Sequence, residues 1–161
     1  MQLISPLEAH ITEMMSWFSN EVELKQWSGP NFRYPFNLST FNEDLKISPT
    51  NSFSLVSEED ELLGFGQYYQ RLGKCHLGRL VVNPKCRGKG LITGLIKGIG
   101  LQGTRALSVT ACSLFVLAHN KSAIKAYQKA GFVLADYPDE IPMENCLYMV
   151  KDRIKPMRSY Q

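Results

Sequence analysis

Between Ser52 and Val82 three strand-like runs, Ser52 to Ser57, Leu62 to Arg71 and Lys74 to Val82, are joined only by Glu58-Glu59-Asp60 and a turn at Gly73. Connections that short admit antiparallel neighbours alone, because a parallel return needs a crossover of about a dozen residues or more. The third run ends in Leu80-Val81-Val82. It passes through Asn83-Pro84-Lys85-Cys86-Arg87-Gly88-Lys89-Gly90 into a helical pattern from about Gly88 to beyond Gly100. A three-strand meander that feeds a long helix is therefore the frame around which the rest must be arranged.

The flanking segments fit that frame. Gln2 to Ile4 is a short strand, and Ser5-Pro6-Leu7-Glu8 opens a helix to about Phe18, with Ser5 as cap and proline in the first turn. A second helical piece covers Glu21 to Trp27 and stops before Ser28-Gly29-Pro30; a third is capped by Ser39 and runs to about Ile47. After the long helix come a buried strand at Ser113 to Leu117, a helix from Asn120 to Ala130 stopped by Gly131, and strands at Phe132 to Ala135 and Cys146 to Lys151. The expected class is mixed α/β (α+β), one domain over 1–161, with a central, mostly antiparallel sheet flanked by helices.

Charge is unevenly placed. Net charge is only +3, yet Leu62 to Ala135 holds eleven Lys and Arg and not one of the fifteen carboxylates. A block of one sign points to an anionic partner, although chance and solvated helix faces give the same pattern. Tyr68 and Tyr69 stand at the start of this block and aromatics are sparse among its bases after them, so a phosphate-bearing small molecule fits as well as nucleic acid. No stretch is apolar enough to span a membrane and no targeting signal opens the chain, so the expected compartment is the cytoplasm. Cys75, Cys86, Cys112 and Cys146 are widely spaced and lack paired histidines, which predicts free thiols and no metal site.

Three anion-binding signatures compete at residues 83–94. The Walker A pattern is absent, because Gly90 is followed by Leu91 and Lys89 precedes it. The dinucleotide pattern G-x-G-x-x-G matches formally at Gly98, Gly100 and Gly103, but late in a helix and with no acid about 20 residues on, so close helix packing explains those glycines better. The third signature is Arg87-Gly88-Lys89-Gly90 at a helix start. There, unpaired N–H groups and the helix dipole favour a pyrophosphate, the glycines allow close approach, and Thr93 adds a hydroxyl.

Val82-x-Pro84-x-x-Arg87-Gly88-x-Gly90-Leu91 resembles the acetyl-CoA-binding motif of the GNAT N-acetyltransferase superfamily. Asn120-x-x-Ala123-x-x-x-Tyr127-x-x-x-Gly131-Phe132 resembles that family's second motif at the expected distance, and the likeness covers roughly 50–135. Trp27-Ser28-Gly29-Pro30 is similar to a substrate-side loop of some bacterial members. The resemblance implies a GNAT-like fold and acetyl-CoA as co-substrate, with transfer to a primary amine by direct attack. It implies that Leu80, Val81 and Val82 pair with the pantetheine arm, that Arg87, Gly88, Lys89, Gly90, Leu91, Ile92 and Thr93 cradle the pyrophosphate, that Asn120 bonds the cofactor, and that Tyr127 is general acid. Where the family usually has Gly or Ala this chain has Ile92, whose branched side chain crowds the phosphates unless it points away.

Each role has a plainer rival. Tyr127 lies with Ala123, Ile124 and Ala130 on a buried helical stripe, Asn120 is a natural helix cap, and Trp27, Phe32, Tyr34 and Phe36 pack under a long loop as readily as they wall a pocket. For the base, the central strands offer only His76, whose rival is a core or exposed histidine; otherwise Glu21, Glu23 or a water relay deprotonates the amine. His119 is expected to face solvent. The expected partner is a small-molecule or peptide amine, with no nucleic acid and no membrane, and with a homodimer left open. The alternatives are a non-catalytic CoA-binding regulatory domain and, further off, a nucleic-acid-binding module.

Overall fold

The computed structural model describes residues 1–47 and 51–153. The sequence-based single domain over 1–161 thus includes 48–50 and 154–161, which lie outside the described residues. In chain order the elements are β1 (Gln2–Ile4), α1 (Glu8–Met15), α2 (Glu21–Ser28), α3 (Leu38–Leu45), β2 (Ser52–Val56), β3 (Leu62–Arg71) and β4 (Lys74–Val82). A single 3₁₀ turn (Pro84–Cys86) leads to α4 (Leu91–Leu107), β5 (Cys112–Leu117), α5 (Lys121–Lys129), β6 (Val133–Ala135) and β7 (Cys146–Lys151). None of the described helices is long and apolar enough to cross a membrane.

The strands form one sheet in the order β1-β2-β3-β4-β5-β7-β6. Every neighbouring pair is antiparallel except β4 and β5, which run parallel. The expected meander is β2-β3-β4, and α4 with β5 supplies the crossover that a parallel pair requires. Two apolar clusters cover the two faces. One joins Leu63, Tyr68, Leu77, Leu114 and Met149 to Leu95 and Ile99 of α4; the other joins Leu62, Phe65 and Val81 to Ile11, Met14, Leu24, Phe41 and Leu45 of α1–α3. β3 is therefore buried on both sides, which is why Leu62 through Tyr68 are all buried instead of alternating.

Several boundaries differ from the sequence expectation, each for a local reason. α1 starts at Glu8 and not after Ser5, because the Leu7 N–H donates to His10 Nδ1 at 3.0 Å. It ends by Met15, where the Ser16 N–H and hydroxyl both donate to the Glu13 carbonyl. α3 is capped by Asn37 and not Ser39. The Asn37 Oδ1 accepts from the Thr40 N–H at 2.9 Å while the Asn37 N–H donates to Thr40 Oγ1 at 3.0 Å, a reciprocal box worth about 0.5–2 kcal/mol. α4 starts three residues after Gly88, because Gly88 (φ 81°) and Gly90 (φ 73°) hold left-handed backbone that cannot belong to the helix.

All four cysteines are free thiols. Cys75 and Cys112 lie opposite each other in the β4–β5 register and are fully buried; the neighbouring Cys112 thiol and burial push the Cys75 thiol up. Gly98 and Gly103 of α4 are close-packing positions, whereas Gly94 faces open space. A Cβ at Gly103 would run into Cys75 Sγ and the Tyr68 ring. Gly103→Ala is accordingly expected to lower unfolding free energy by about 1–3 kcal/mol, the usual cost of overpacking a core, measured by denaturant titration. Wild-type stability in that variant would mean that α4 does not sit this close to the sheet.

Candidate functional site

β4 and β5 pair for only three residues, Cys75–Cys112, His76–Ser113 and Leu77–Leu114. Beyond Leu77 the strands part. β5 continues against β7 through Phe115, Val116 and Leu117, and β4 continues against β3 through Val81 and Val82. The β3–β4 register slips between Phe65–Val81 and Gln67–Gly78, so β4 carries a bulge at Arg79 and Leu80. Arg79 takes φ 48° there, a strain of about 1–3 kcal/mol for a residue other than glycine. A bulge bends its strand, and this one turns the second half of β4 away from β5.

The wedge between the parted strands opens into a cleft of about 1450 Å³. Its floor is β4 from Leu77 to Val82 and β5 from Phe115 to Leu117. On the side of α4 and α5 it is walled by the α4 N-terminus and one face of α5, and on the other side by Trp17, Phe18, Glu23, Gln26 and Trp27. Leu80, Val81, Val82, Arg87, Gly88, Gly90, Leu91, Ile92, Thr93, Asn120 and Tyr127 all line it; Lys89 is exposed outside the wall. The structure thus brings two motifs thirty-odd residues apart in sequence to one cavity.

The mouth near α4 is suited to an anion. The N–H groups of residues 87–92 find no acceptor among the described residues, since Asn83 ties down only those of Lys85 and Cys86. A Cβ at Gly88 or Gly90 would meet nothing within 4 Å, so these glycines serve backbone conformation and leave open space over the donors. Arg87 from the loop and Lys125 and Lys129 from α5 add positive charge around it. Ile92 packs partly against the main core and also lines the cleft. Such a cradle fits a pyrophosphate, and the unpaired edge of Leu80–Val82 fits an extended amide-bearing arm. Among the described residues no group of three or more His, Cys, Asp or Glu could hold a metal ion.

Tyr127 and Asn120 serve structure and site together. Tyr127 belongs to the main core, with its ring 6.4 Å from that of Phe132, yet it also faces the cleft. Its hydroxyl has no hydrogen-bond partner among the described residues, and burial pushes its pKa up to about 12, so it keeps its proton. Asn120 caps α5, its Oδ1 accepting from the Ala123 N–H at 3.2 Å, which leaves its side-chain NH₂ free for a ligand. Trp27 stacks on Phe18 at 4.5 Å and lies 6.0 Å from Phe41, so it is packed and wall-forming at once.

His76 does not meet the expectation of a base. It is 2% exposed, wedged between Tyr69 and Phe115 with ring centroids at 5.1 and 4.6 Å, and its Nδ1 lies 2.8 Å from Ser113 Oγ. Burial, and then the positive charge of Arg71, push its pKa down to about 3. It has no face on the cleft from which to collect a proton. The wall instead presents Glu23 and the exposed His119. The residue that sequence reasoning missed altogether is Arg79, whose signal was a charge in the middle of the apolar run from Leu77 to Val82.

Because the folded pKa of His76 is lowered, its contribution to stability is whole above the unfolded value of 6.5 and is lost as pH falls toward 3. The expected slope is about 1.4 kcal/mol per pH unit at most. His10, lowered by burial, adds the same sign. Denaturant midpoints at pH 7 and pH 5 should show most of this slope disappear in His76→Gln. An unchanged slope would show that His76 is not the group that titrates.

Comparison with known proteins agrees with this geometry. The model of the acetyltransferase (GNAT) family matches residues 17–132, from Trp17 in the cleft wall to Phe132 at the end of the second motif. Among solved structures, spermidine N-acetyltransferase from Vibrio cholerae in complex with CoA and spermine superposes with a TM-score of 0.69 at 15% identity, over 92% of this chain and 93% of that one. A chimera of the Vibrio cholerae enzyme with hSSAT gives a TM-score of 0.70 at 12% identity, over 94% and 95%. At such identities the likeness is one of fold.

Proposed function

The chain belongs to the acetyltransferase (GNAT) family and with it is an acetyl-CoA-dependent N-acetyltransferase; we propose that it works by direct attack of a primary amine on the thioester, with Tyr127 as general acid. The observation that carries this reading is the parting of β4 from β5 where the donor-rich start of α4 and the Tyr127 hydroxyl meet one cleft. When bound, acetyl-CoA supplies the activated acyl group, and the protein supplies position and protons.

Arg87 and the N–H groups of 87–92 anchor the pyrophosphate, and the edge of Leu80–Val82 holds the arm as though it were an added strand. That fixes where the carbonyl lies, and an amide of the β4 edge near Val82 donates to its oxygen as negative charge develops. Tyr127 gives its proton to the departing thiolate. A phenol held near pKa 12 is fully protonated through the physiological range, so no alkaline decline below about pH 10 comes from this group. The amine reacts neutral, and Glu23 and His119 are the wall groups that can receive its proton.

Two substitutions test these roles. Arg87→Glu reverses a charge at the cradle and is expected to raise the KM for acetyl-CoA by about 10- to 100-fold, the range for losing one charge-assisted contact. Tyr127→Phe is expected to lower kcat by about 100-fold or more at unchanged KM for acetyl-CoA and with a cooperative melt. Thiol release with acetyl-CoA and an amine panel reads both. If CoA raises the melting temperature while no amine releases thiol, the non-catalytic CoA-binding alternative takes the place of this reading.

A further inference from the structure

The acceptor side of the cleft contains a cation, Arg79, that makes no direct ion pair among the described residues and feels the Asp44 carboxylate only from a distance. Arg79 leaves the β4 bulge and reaches toward α2 and α3, where its Nη1 donates to the Leu45 carbonyl and to Gln67 Oε1, both at 3.0 Å. Its Nε approaches the Ser28 carbonyl at 3.4 Å, and its Cζ lies 5.7 Å from the centre of the Phe32 ring. Every one of these partners is neutral. Gln67 is itself held by Leu45 and Ser52, at 2.8 and 2.9 Å, so the guanidinium is fixed in place. Nη2 has no acceptor among the described residues. The nearby carboxylate of Asp44 is engaged by Arg33 through Nε and Nη2.

Partly buried charges are ordinarily paired, since an unpaired one forfeits hydration without a return. A purely structural clamp between the sheet and α2–α3 accounts for Nε and Nη1. It accounts neither for a full charge nor for the idle Nη2 on a residue that lines the cleft. A second donor in the same wall also lacks an acceptor: Trp27 Nε1 is buried and unpartnered, and its ring lies 6.0 Å from the same Phe32. Among the described residues the one carboxylate of the wall is Glu23, whose Oε2 accepts from the Ser19 N–H at 2.9 Å.

We propose that Arg79 is a specificity-determining residue that receives a carboxylate carried by the acceptor amine, so that the acceptor is an amino acid or a compact carboxylate-bearing amine and not a polycation. The inference rests on acetyl transfer to an amine and adds what else that amine carries. Nη2 is the donor for the carboxylate, and Trp17, Phe18 and Trp27 offer an apolar wall for the remainder of the molecule. A polyamine brought to the same place would set its second ammonium against Arg79, with Glu23 the sole carboxylate of the cleft wall among the described residues.

The test uses matched pairs with and without the carboxylate: alanine against ethylamine, methionine against 3-(methylthio)propylamine, phenylalanine against phenethylamine, with spermidine as the polycation. kcat/KM for at least one amino acid is expected to exceed that of its decarboxylated partner and of spermidine by about 10- to 100-fold, the range for one charge-assisted hydrogen bond. That preference should vanish in Arg79→Met and survive in part in Arg79→Lys, with CoA affinity unchanged in both. Should Arg79→Met fail to fold, Arg79→Lys and the wild-type ratios still decide. A preference below about 3-fold in every pair, or one undiminished in Arg79→Met, overturns the subsite while leaving acetyl transfer in place. Calorimetric titration of the CoA-loaded protein with N-acetylphenylalanine and N-acetylphenethylamine separates the two failures. Arg79-dependent preference for the acid without any thiol release would uphold the subsite and overturn the transferase reading.

Discussion

The pairing that stops at Leu77–Leu114 is the constraint from which the site follows. A sheet of seven strands would ordinarily leave a ligand only its rims, yet here two central neighbours separate in the middle of their length. The bulge at Arg79 and Leu80 directs β4 outward, and the β5–β7 ladder keeps β5 straight. Hydrophobic cover on both faces makes the separation affordable: Leu77 and Leu114 close the vertex from one side, and Val81 is held by the α1–α3 cluster on the other.

How much of this was legible beforehand depends on the range of the interactions. Strands β3 and β4 were legible to the residue because Gly73 and the acidic turn punctuate them, and local punctuation is what sequence records best. The loop before α4 was legible for the same reason, although its glycines, read there for close approach of a ligand, are seen to hold left-handed backbone. The start of α4 was less so, because glycines at a helix threshold suit either the last loop residues or the first turn. Ser5 and Ser39 look like caps, but His10 and Asn37 reach those N-termini first, a competition between neighbours that composition does not rank.

His76 and Arg79 show a different limit. They sit three residues apart on one strand, and the alternation of side chains makes no distinction between a strand face that is sealed and one that opens on a cleft. Which it is depends on β5, more than thirty residues later, and on where the parallel ladder ends. His76 lies inside the last paired stretch, so Phe115 and Tyr69 close over it; Arg79 lies just past that stretch, so its side chain meets the cavity. A histidine with ideal chemistry is thereby turned into packing, and a charge that resembles an edge residue becomes part of the cleft wall.

The short β4–β5 ladder also has a mechanical meaning. Three residue pairs, together with the α4 crossover, tie the β1–β4 part of the sheet to the β5–β7 part. Any ligand that lies between the strands and bonds to β4 restores continuity that the polypeptide omits, and so bears load as well as reacting. Without such a ligand the two halves are coupled through that short ladder, the core they share and the Arg71–Tyr137 hydrogen bond. Cys75–Cys112, with Gly103 of α4 packed behind it, is the end of that ladder farthest from the mouth.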